Sequence, residues 1–122
     1  MKLGLERIDD ILVVTIPGRT LDLVQSSGLK KSIYPILAEE TKAVLDLSKL
    51  DFIDSSGLGV FVACARMLKE DGGDLKICGM TKQVRSLFKL VKMNAICEVL
   101  DTKDEAIERF KSVARSDRPA KR

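Results

Sequence analysis

Residues 50–62, LDFIDSSGLGVFV, determine how the rest of the chain is expected to fold. An apolar run at residues 43–47 precedes them and is typical of a buried strand, and apolar residues recur at helical spacing after the two serines. Asp54, Ser55 and Ser56 are of the types whose side chains accept hydrogen bonds from the free N–H groups at the start of a helix. The stretch therefore predicts a strand, a turn and a helix, with a carboxylate and two hydroxyls at the helix N-terminus.

A helix N-terminus carries partial positive charge and unpaired N–H donors, so an oxyanion placed there is tolerated. A serine at this position could accept a phosphate group without disrupting the fold beneath it. Simple helix capping is the competing interpretation of Asp54, Ser55 and Ser56, and the two are compatible because a capping hydroxyl is already exposed.

Composition indicates one domain with an aliphatic core. The chain has 122 residues, of which 45% are apolar and only 4% aromatic. No apolar run approaches the ~20 residues of a membrane span. Residues 1–7 acquire charge at once and lack the apolar region of a signal peptide, so the protein is expected to stay in the cytoplasm.

Metal, redox and nucleic-acid chemistry have no support in the sequence. There is no histidine, and Cys64, Cys78 and Cys97 are odd in number and set in apolar surroundings, which predicts three reduced core thiols. The net charge of +3 falls to +1 once the basic residues 116–122 are set aside, because that segment alone contributes +2. We expect neither a metal nor any other cofactor, and no nucleic-acid partner.

Enzyme function is also not expected. The segment from Gly57 lacks the third glycine of a dinucleotide fingerprint, since Val62 occupies that position, and the chain has no Gly-Lys-Ser/Thr phosphate loop. Ser55 cannot act as a hydrolase nucleophile in the usual triad, because there is no histidine to serve as its base. Asp54 is too weak a base at neutral pH to take that role.

The first 16 residues predict a leading β-hairpin. Two β-like runs, residues 3–8 and 11–16, are separated by Asp9 and Asp10 without the usual turn glycine. Apolar residues recur at helical spacing over 21–37 and predict a helix whose start Ser26 or Ser27 could cap. The later predicted elements are, in chain order, a strand over 43–47, a helix over about 56–69, a strand over 75–78, a helix capped by Thr81, a strand over 96–100, and a helix capped by Asp101 or Thr102 that runs to Phe110.

Alternating β and α segments predict parallel strands joined by crossover helices. The fold class is therefore α/β: a single domain over residues 1–115, with a mixed, mostly parallel sheet of about five strands, about four helices and the leading hairpin. Residues 116–122 are polar and basic and are expected to form a disordered tail.

The helix after the serines has a predicted core side and a predicted outer side. A helical wheel places Leu58, Phe61, Val62, Ala65 and Leu68 toward the core. The opposite side holds Gly59, Ala63, Arg66 and Glu70, flanked by Val60 and Met67. Small residues near the serines suggest a surface that a partner could approach closely, although ordinary surface hydrophobicity is the alternative.

The stretch at residues 51–59 closely resembles the phosphorylation motif of the bacterial anti-sigma-factor antagonists, which have the STAS fold. The resemblance covers roughly residues 3–110. It includes Gly18 and Asp22, which resemble a family turn after the second strand, the segment 71–75, and the late helix segment 84–88. One departure is the spacing from Gly18 to Asp22, which is one residue longer than usual in the family.

The resemblance implies a function by partner switching. The unphosphorylated protein would bind an anti-sigma factor that is also a serine kinase and would free that kinase's client. The kinase, with its own ATP and Mg²⁺, would phosphorylate Ser55, with Ser56 as the fallback, and a separate phosphatase would reverse the reaction. The predicted partner-binding residues are Asp22, Asp54, Ser55, Ser56, Gly57, Gly59, Val60, Ala63 and Met67. The alternative is a constitutive scaffold or subunit of the same fold, in a stress-signalling or lipid-transport complex.

Overall fold

This computed structural model describes the backbone of residues 1–116 and the side chains of residues 1–111. Within this part of the chain there are seven strands and four α-helices. The elements are β1 (Gly4–Ile8), β2 (Ile11–Thr15), β3 (Thr20–Leu21), α1 (Leu23–Leu37), β4 (Lys42–Asp46), β5 (Phe52–Ile53), α2 (Ser55–Glu70), β6 (Asp74–Cys78), α3 (Lys82–Leu90), a 3-10 helix (Met93–Ala95), β7 (Glu98–Leu100) and α4 (Lys103–Ser116). Ser116 ends α4, and the rest of the predicted tail, residues 117–122, lies outside the described residues.

The central sheet has five strands in the order β1-β2-β4-β6-β7. β1 pairs with β2 in antiparallel fashion and the other pairs are parallel, so Val14 lies beside Leu45 and Leu45 beside Ile77. The predicted mixed, mostly parallel sheet of about five strands is confirmed, as are the four helices and the leading hairpin. Asp9 adopts a φ of 56° in the hairpin turn and so takes the left-handed conformation that a glycine usually supplies.

Helices cover both faces of the sheet. On β4, Ala43 and Leu45 point into the larger core beneath α1, α2 and α3, whereas Val44 points to a smaller cluster beneath α4. Because both faces are covered, the central strands can be apolar at consecutive positions. The larger core includes the aromatic pair Phe61 and Phe88, whose ring centroids are 6.3 Å apart.

A second, two-stranded parallel sheet joins β3 to β5, and the sequence did not predict it. The expected start of this helix, with Ser26 or Ser27 as its cap, is wrong. Leu21 instead pairs with Ile53 in this small sheet, and Asp22 caps α1. The tertiary pairing of two short strands therefore outweighs the local helical pattern, and Ser26 becomes a buried residue within the helix.

The other differences lie at element ends and on one helix face. The predicted strand over 96–100 is shortened to β7, because the 3-10 helix occupies the chain just before it. On α2, Val62 is only half-buried, whereas Cys64, which was expected to be a core thiol, is fully buried.

Candidate functional site

The candidate site lies where the N-termini of α1 and α2 meet. Leu21 and Ile53 are register partners in the small sheet, so the next residue of each strand, Asp22 and Asp54, occupies an equivalent position. Each aspartate is the N-cap of its helix. The backbone N–H of Asp54 also donates to the carbonyl of Leu21 at 3.2 Å. Two positive helix ends are thus held side by side by the parallel β3–β5 pairing.

The Asp54 carboxylate organises the first turn of α2. Its Oδ1 accepts from the backbone N–H groups of Ser56 at 2.9 Å and Gly57 at 3.3 Å, and also from the Ser56 hydroxyl. The hydrogen bond from the Ser56 hydroxyl is the main cause of the lowered pKa of Asp54. The backbone N–H groups of Gly57, Ser56 and Leu23 lower this pKa further. Asp54 therefore remains a carboxylate at neutral pH.

The two serines of the motif differ in exposure and in hydrogen bonding. Ser55, the first residue of α2, is exposed, and its hydroxyl makes no hydrogen bond within the described part of the chain. Ser56 is half-buried, and its Oγ contacts both the Asp54 carboxylate and the Ser26 Oγ, the latter at 3.2 Å. Ser55 is therefore the serine whose hydroxyl can meet an incoming reagent without first breaking contacts.

Two residues of the predicted partner surface point inward instead. Val60 is 0% exposed and belongs to the main core, so its predicted outer position is wrong. Gly57 is also buried, and a Cβ there would lie 2.7 Å from Ile53 Cγ1 and 2.8 Å from Leu21 Cδ2. The wheel placed Val60 beside the outer side of α2, but this helix packs against α1 and the small β3–β5 sheet as well as against the main sheet.

The remaining predicted residues of α2 follow the outer side of the helix. Gly59 is exposed, and a Cβ at this position would meet no atom within 4 Å. Ala63 is half-buried one turn further on. Met67 is also half-buried but packs against the core, so its side chain is only partly available to a partner. The outer face nearest the serines therefore consists of Ser55, Gly59 and Ala63.

Two exposed apolar side chains beside the site were not among the predicted residues. Leu23 and Val24, in the first turn of α1, are 71% and 76% exposed. The backbone N–H of Leu23 contributes to the Asp54 carboxylate environment, so this turn adjoins the serines. The sequence held a signal of their exposure, because neither Leu23 nor Val24 lies on the apolar stripe of α1 formed by Leu29 and Ile33.

Cys64, Cys78 and Cys97 are buried free thiols, and burial raises their pKa values to about 12, about 12 and about 11. Among the described residues there is no group of three or more His, Cys, Asp or Glu side chains placed to hold a metal ion. Within the same residues, none of the helices combines the length and apolar character needed to cross a bilayer.

Comparison with known proteins identifies the family. The STAS domain profile matches residues 2–106. BtrV of Bordetella bronchiseptica, provisionally named an anti-sigma factor antagonist, is 30% identical over 116 residues, which cover 92% of this chain and 97% of that protein. The anti-sigma-B factor antagonist of Bacillus subtilis is 28% identical over 86 residues, which cover 70% of this chain and 78% of that protein. The crystal structure of a provisionally named anti-sigma factor antagonist from Thermotoga maritima has a TM-score of 0.81 at 25% identity and covers 88% of this chain and 92% of that chain. The chain belongs to the STAS domain family.

Proposed function

We propose that this protein is an anti-sigma factor antagonist that acts by partner switching. Its unphosphorylated form binds an anti-sigma factor with serine kinase activity and so frees the client of that kinase. Phosphorylation of Ser55 ends the binding, and a phosphatase restores it. The protein is then a ligand and a substrate rather than an enzyme, it needs no cofactor of its own, and it works in the cytoplasm.

The contrast between Ser55 and Ser56 is the observation that carries this proposal. An exposed hydroxyl sits at the first position of α2, beside a serine whose hydroxyl is already bonded to Asp54 and Ser26. The names of the two curated relatives, an anti-sigma-B factor antagonist and a provisional anti-sigma factor antagonist, support the same class of function.

Phosphorylation would act on the partner surface rather than on the fold. A phosphate adds a charge of about −1.5 to −2 at neutral pH, and the N-terminus of α2 tolerates negative charge. A partner packed on the neighbouring apolar surface would have to desolvate that charge. We define the partner surface as Ser55, Gly59 and Ala63 of α2 with Leu23 and Val24 of α1, and Asp22 and Met67 lie at its edge.

Mass spectrometry of the full chain purified from its own cells tests the phosphorylation site. Trypsin releases residues 50–66 as one peptide that contains both serines, and fragmentation between Ser55 and Ser56 assigns the phosphate. We expect the label on Ser55 and its loss in Ser55→Ala, with an unchanged melting temperature. A phosphate on Ser56 alone would move the site, and no phosphate under any growth condition would favour a constitutive scaffold.

Titration calorimetry against the isolated anti-sigma factor tests the partner surface. Ser55→Asp places an unpaired charge against a desolvated surface, which typically costs ~1–3 kcal/mol, or about ten- to a hundred-fold in Kd. True phosphorylation should cost more, because aspartate carries about half the charge. Gly59→Arg should weaken binding through bulk without loss of folding stability, because its side chain projects into open space.

Ser86→Arg is the matched control, because it adds the same side chain to an exposed position on α3. It should bind like the wild type. If Gly59→Arg also binds like the wild type, the outer face of α2 is not the interface and the partner surface must be redrawn.

A further inference from the structure

The buried hydroxyl of Ser26, on α1, contacts the second serine of the motif, Ser56, on α2. Ser26 lies one turn into α1 and is 1% exposed, although serine is usually found at protein surfaces. Its Oγ is 3.2 Å from the Ser56 Oγ, which in turn contacts Asp54 Oδ1. Three side chains from two helices therefore form one chain of contacts.

The chemistry of these three groups fixes the direction of the hydrogen bonds. The Asp54 carboxylate is ionised and can only accept, so the single hydroxyl hydrogen of Ser56 points to it. The Ser56 oxygen can then meet Ser26 only as an acceptor, which makes the Ser26 hydroxyl the donor. Among the described residues, no buried polar side-chain atom lacks a hydrogen-bond partner. The Ser56 hydroxyl therefore donates one hydrogen bond to Asp54 and accepts one from Ser26.

This arrangement disfavours Ser56 as a phosphoacceptor. In phosphoryl transfer, the serine oxygen forms a bond to the γ-phosphorus of ATP while the bond from that phosphorus to the β–γ bridging oxygen breaks. ADP leaves, and the hydroxyl proton passes to a base of the kinase. Ser56 must break its contacts with Asp54 and Ser26 before it can enter this geometry, whereas Ser55 is exposed and has no such contacts to break.

We propose that Ser26 is a positioning residue that directs phosphorylation to Ser55 by holding the Ser56 hydroxyl against Asp54. The proposal rests on the proposed function, because it concerns the choice between two serines of the same motif. Ser26 itself never touches the kinase or ATP, since it is buried.

Mass spectrometry of the peptide 50–66 from the source cells tests the choice of serine. Ser55→Ala alone should leave Ser56 nearly unlabelled, and adding Ser26→Ala should raise Ser56 labelling about two- to ten-fold, the range expected for one net hydrogen bond. Ser27→Ala is the matched control, because Ser27 is exposed on the same turn of α1 and should leave Ser56 labelling unchanged. Both alanine substitutions remove a hydroxyl from a helix, where alanine is well tolerated.

The pKa of Asp54, followed by NMR titration of its side-chain carboxyl carbon, is a second readout that needs no kinase. Ser26→Ala frees Ser56 to leave the carboxylate, so the pKa of Asp54 should rise toward its ordinary value, whereas Ser27→Ala should not change it. If Ser56 labelling in the double variant with Ser55→Ala and Ser26→Ala is no higher than in Ser55→Ala alone, the proposal is overturned, whether or not the pKa of Asp54 changes. If the wild type carries phosphate on neither serine, the proposed function fails. In that case the pKa measurement still tests the hydrogen-bond chain, and an unchanged pKa of Asp54 in Ser26→Ala would overturn it.

Discussion

Two glycines of α2, two residues apart, should respond in opposite ways to the same added methyl group. Gly57 faces the small sheet, and its Cβ would lie 2.7 Å from Ile53 Cγ1 and 2.8 Å from Leu21 Cδ2. Gly59 faces open space. Both substitutions to alanine remove the entropic cost of a glycine in a helix, so they differ only in what the methyl group meets.

The magnitudes come from these contacts. Gly59→Ala should stabilise the fold by about 0.8–1 kcal/mol, the difference in helix propensity. Gly57→Ala gains the same contribution but overpacks a site between two buried side chains, which costs about 1–3 kcal/mol. Leu21 and Ile53 belong to the paired strands β3 and β5, so they cannot withdraw without disturbing that sheet. The two variants should therefore differ by about 1–3 kcal/mol, with Gly57→Ala the less stable.

Urea denaturation at neutral pH measures this difference, with equal m values as the check that both variants unfold in the same way. For a chain of this size, the gap corresponds to roughly 4–12 °C in Tm. If Gly57→Ala raised the stability as much as Gly59→Ala, α2 would not approach the small sheet as closely as these distances require, and the inward placement of Gly57 would be refuted.

Three further predictions concern the core and the two caps. Phe61→Ala should destabilise the protein by ~3–5 kcal/mol, because Phe61 is fully buried and packs near Phe88; a loss below about 1 kcal/mol in denaturant melts would contradict its core position. Asp22→Ala should cost about 0.5–2 kcal/mol and Asp22→Asn much less, since only the latter keeps a side-chain oxygen for the cap of α1; equal melts for the two variants would contradict the capping role. The lowered pKa of Asp54 means that its charge stabilises the fold above the pKa of the unfolded chain, about 3.9, and that this stability is lost as the pH falls through the folded value. The free energy of unfolding, measured from pH 7 to pH 2, should therefore show that the wild type loses its greater stability over Asp54→Asn below about pH 4. A stability difference that does not change with pH would exclude the ionised carboxylate as its source.

Local patterns in the sequence were enough to predict the approximate number of strands in the main sheet and their mostly parallel direction. Alternating apolar strands and amphipathic helices imply parallel pairing, and the cap at Thr81 was placed correctly. These features depend on residues a few positions apart, so they can be recognised in the sequence. The same holds for the strand–turn–helix geometry at the serine motif, in which Asp54 caps α2.

Local patterns could not predict the small sheet or its effects on the two helices beside it. The strands β3 and β5 have only two residues each, too few for a periodic signal, and they pair across about thirty positions of sequence. Their pairing moved the start of α1 from the serines at 26 and 27 to Asp22, and it covered the side of α2 that carries Gly57.

The sequence by itself determined the fold class and the pair of serines at a helix N-terminus, because hydrophobic periodicity and capping chemistry are local properties of the chain. Only the tertiary structure showed a physical difference between the two serines. Ser56 is held by Asp54 from its own turn and by Ser26 from another helix, while Ser55 is left exposed. A contact between helices thirty residues apart depends on how α1 and α2 pack, and packing is decided by the whole core rather than by any one segment.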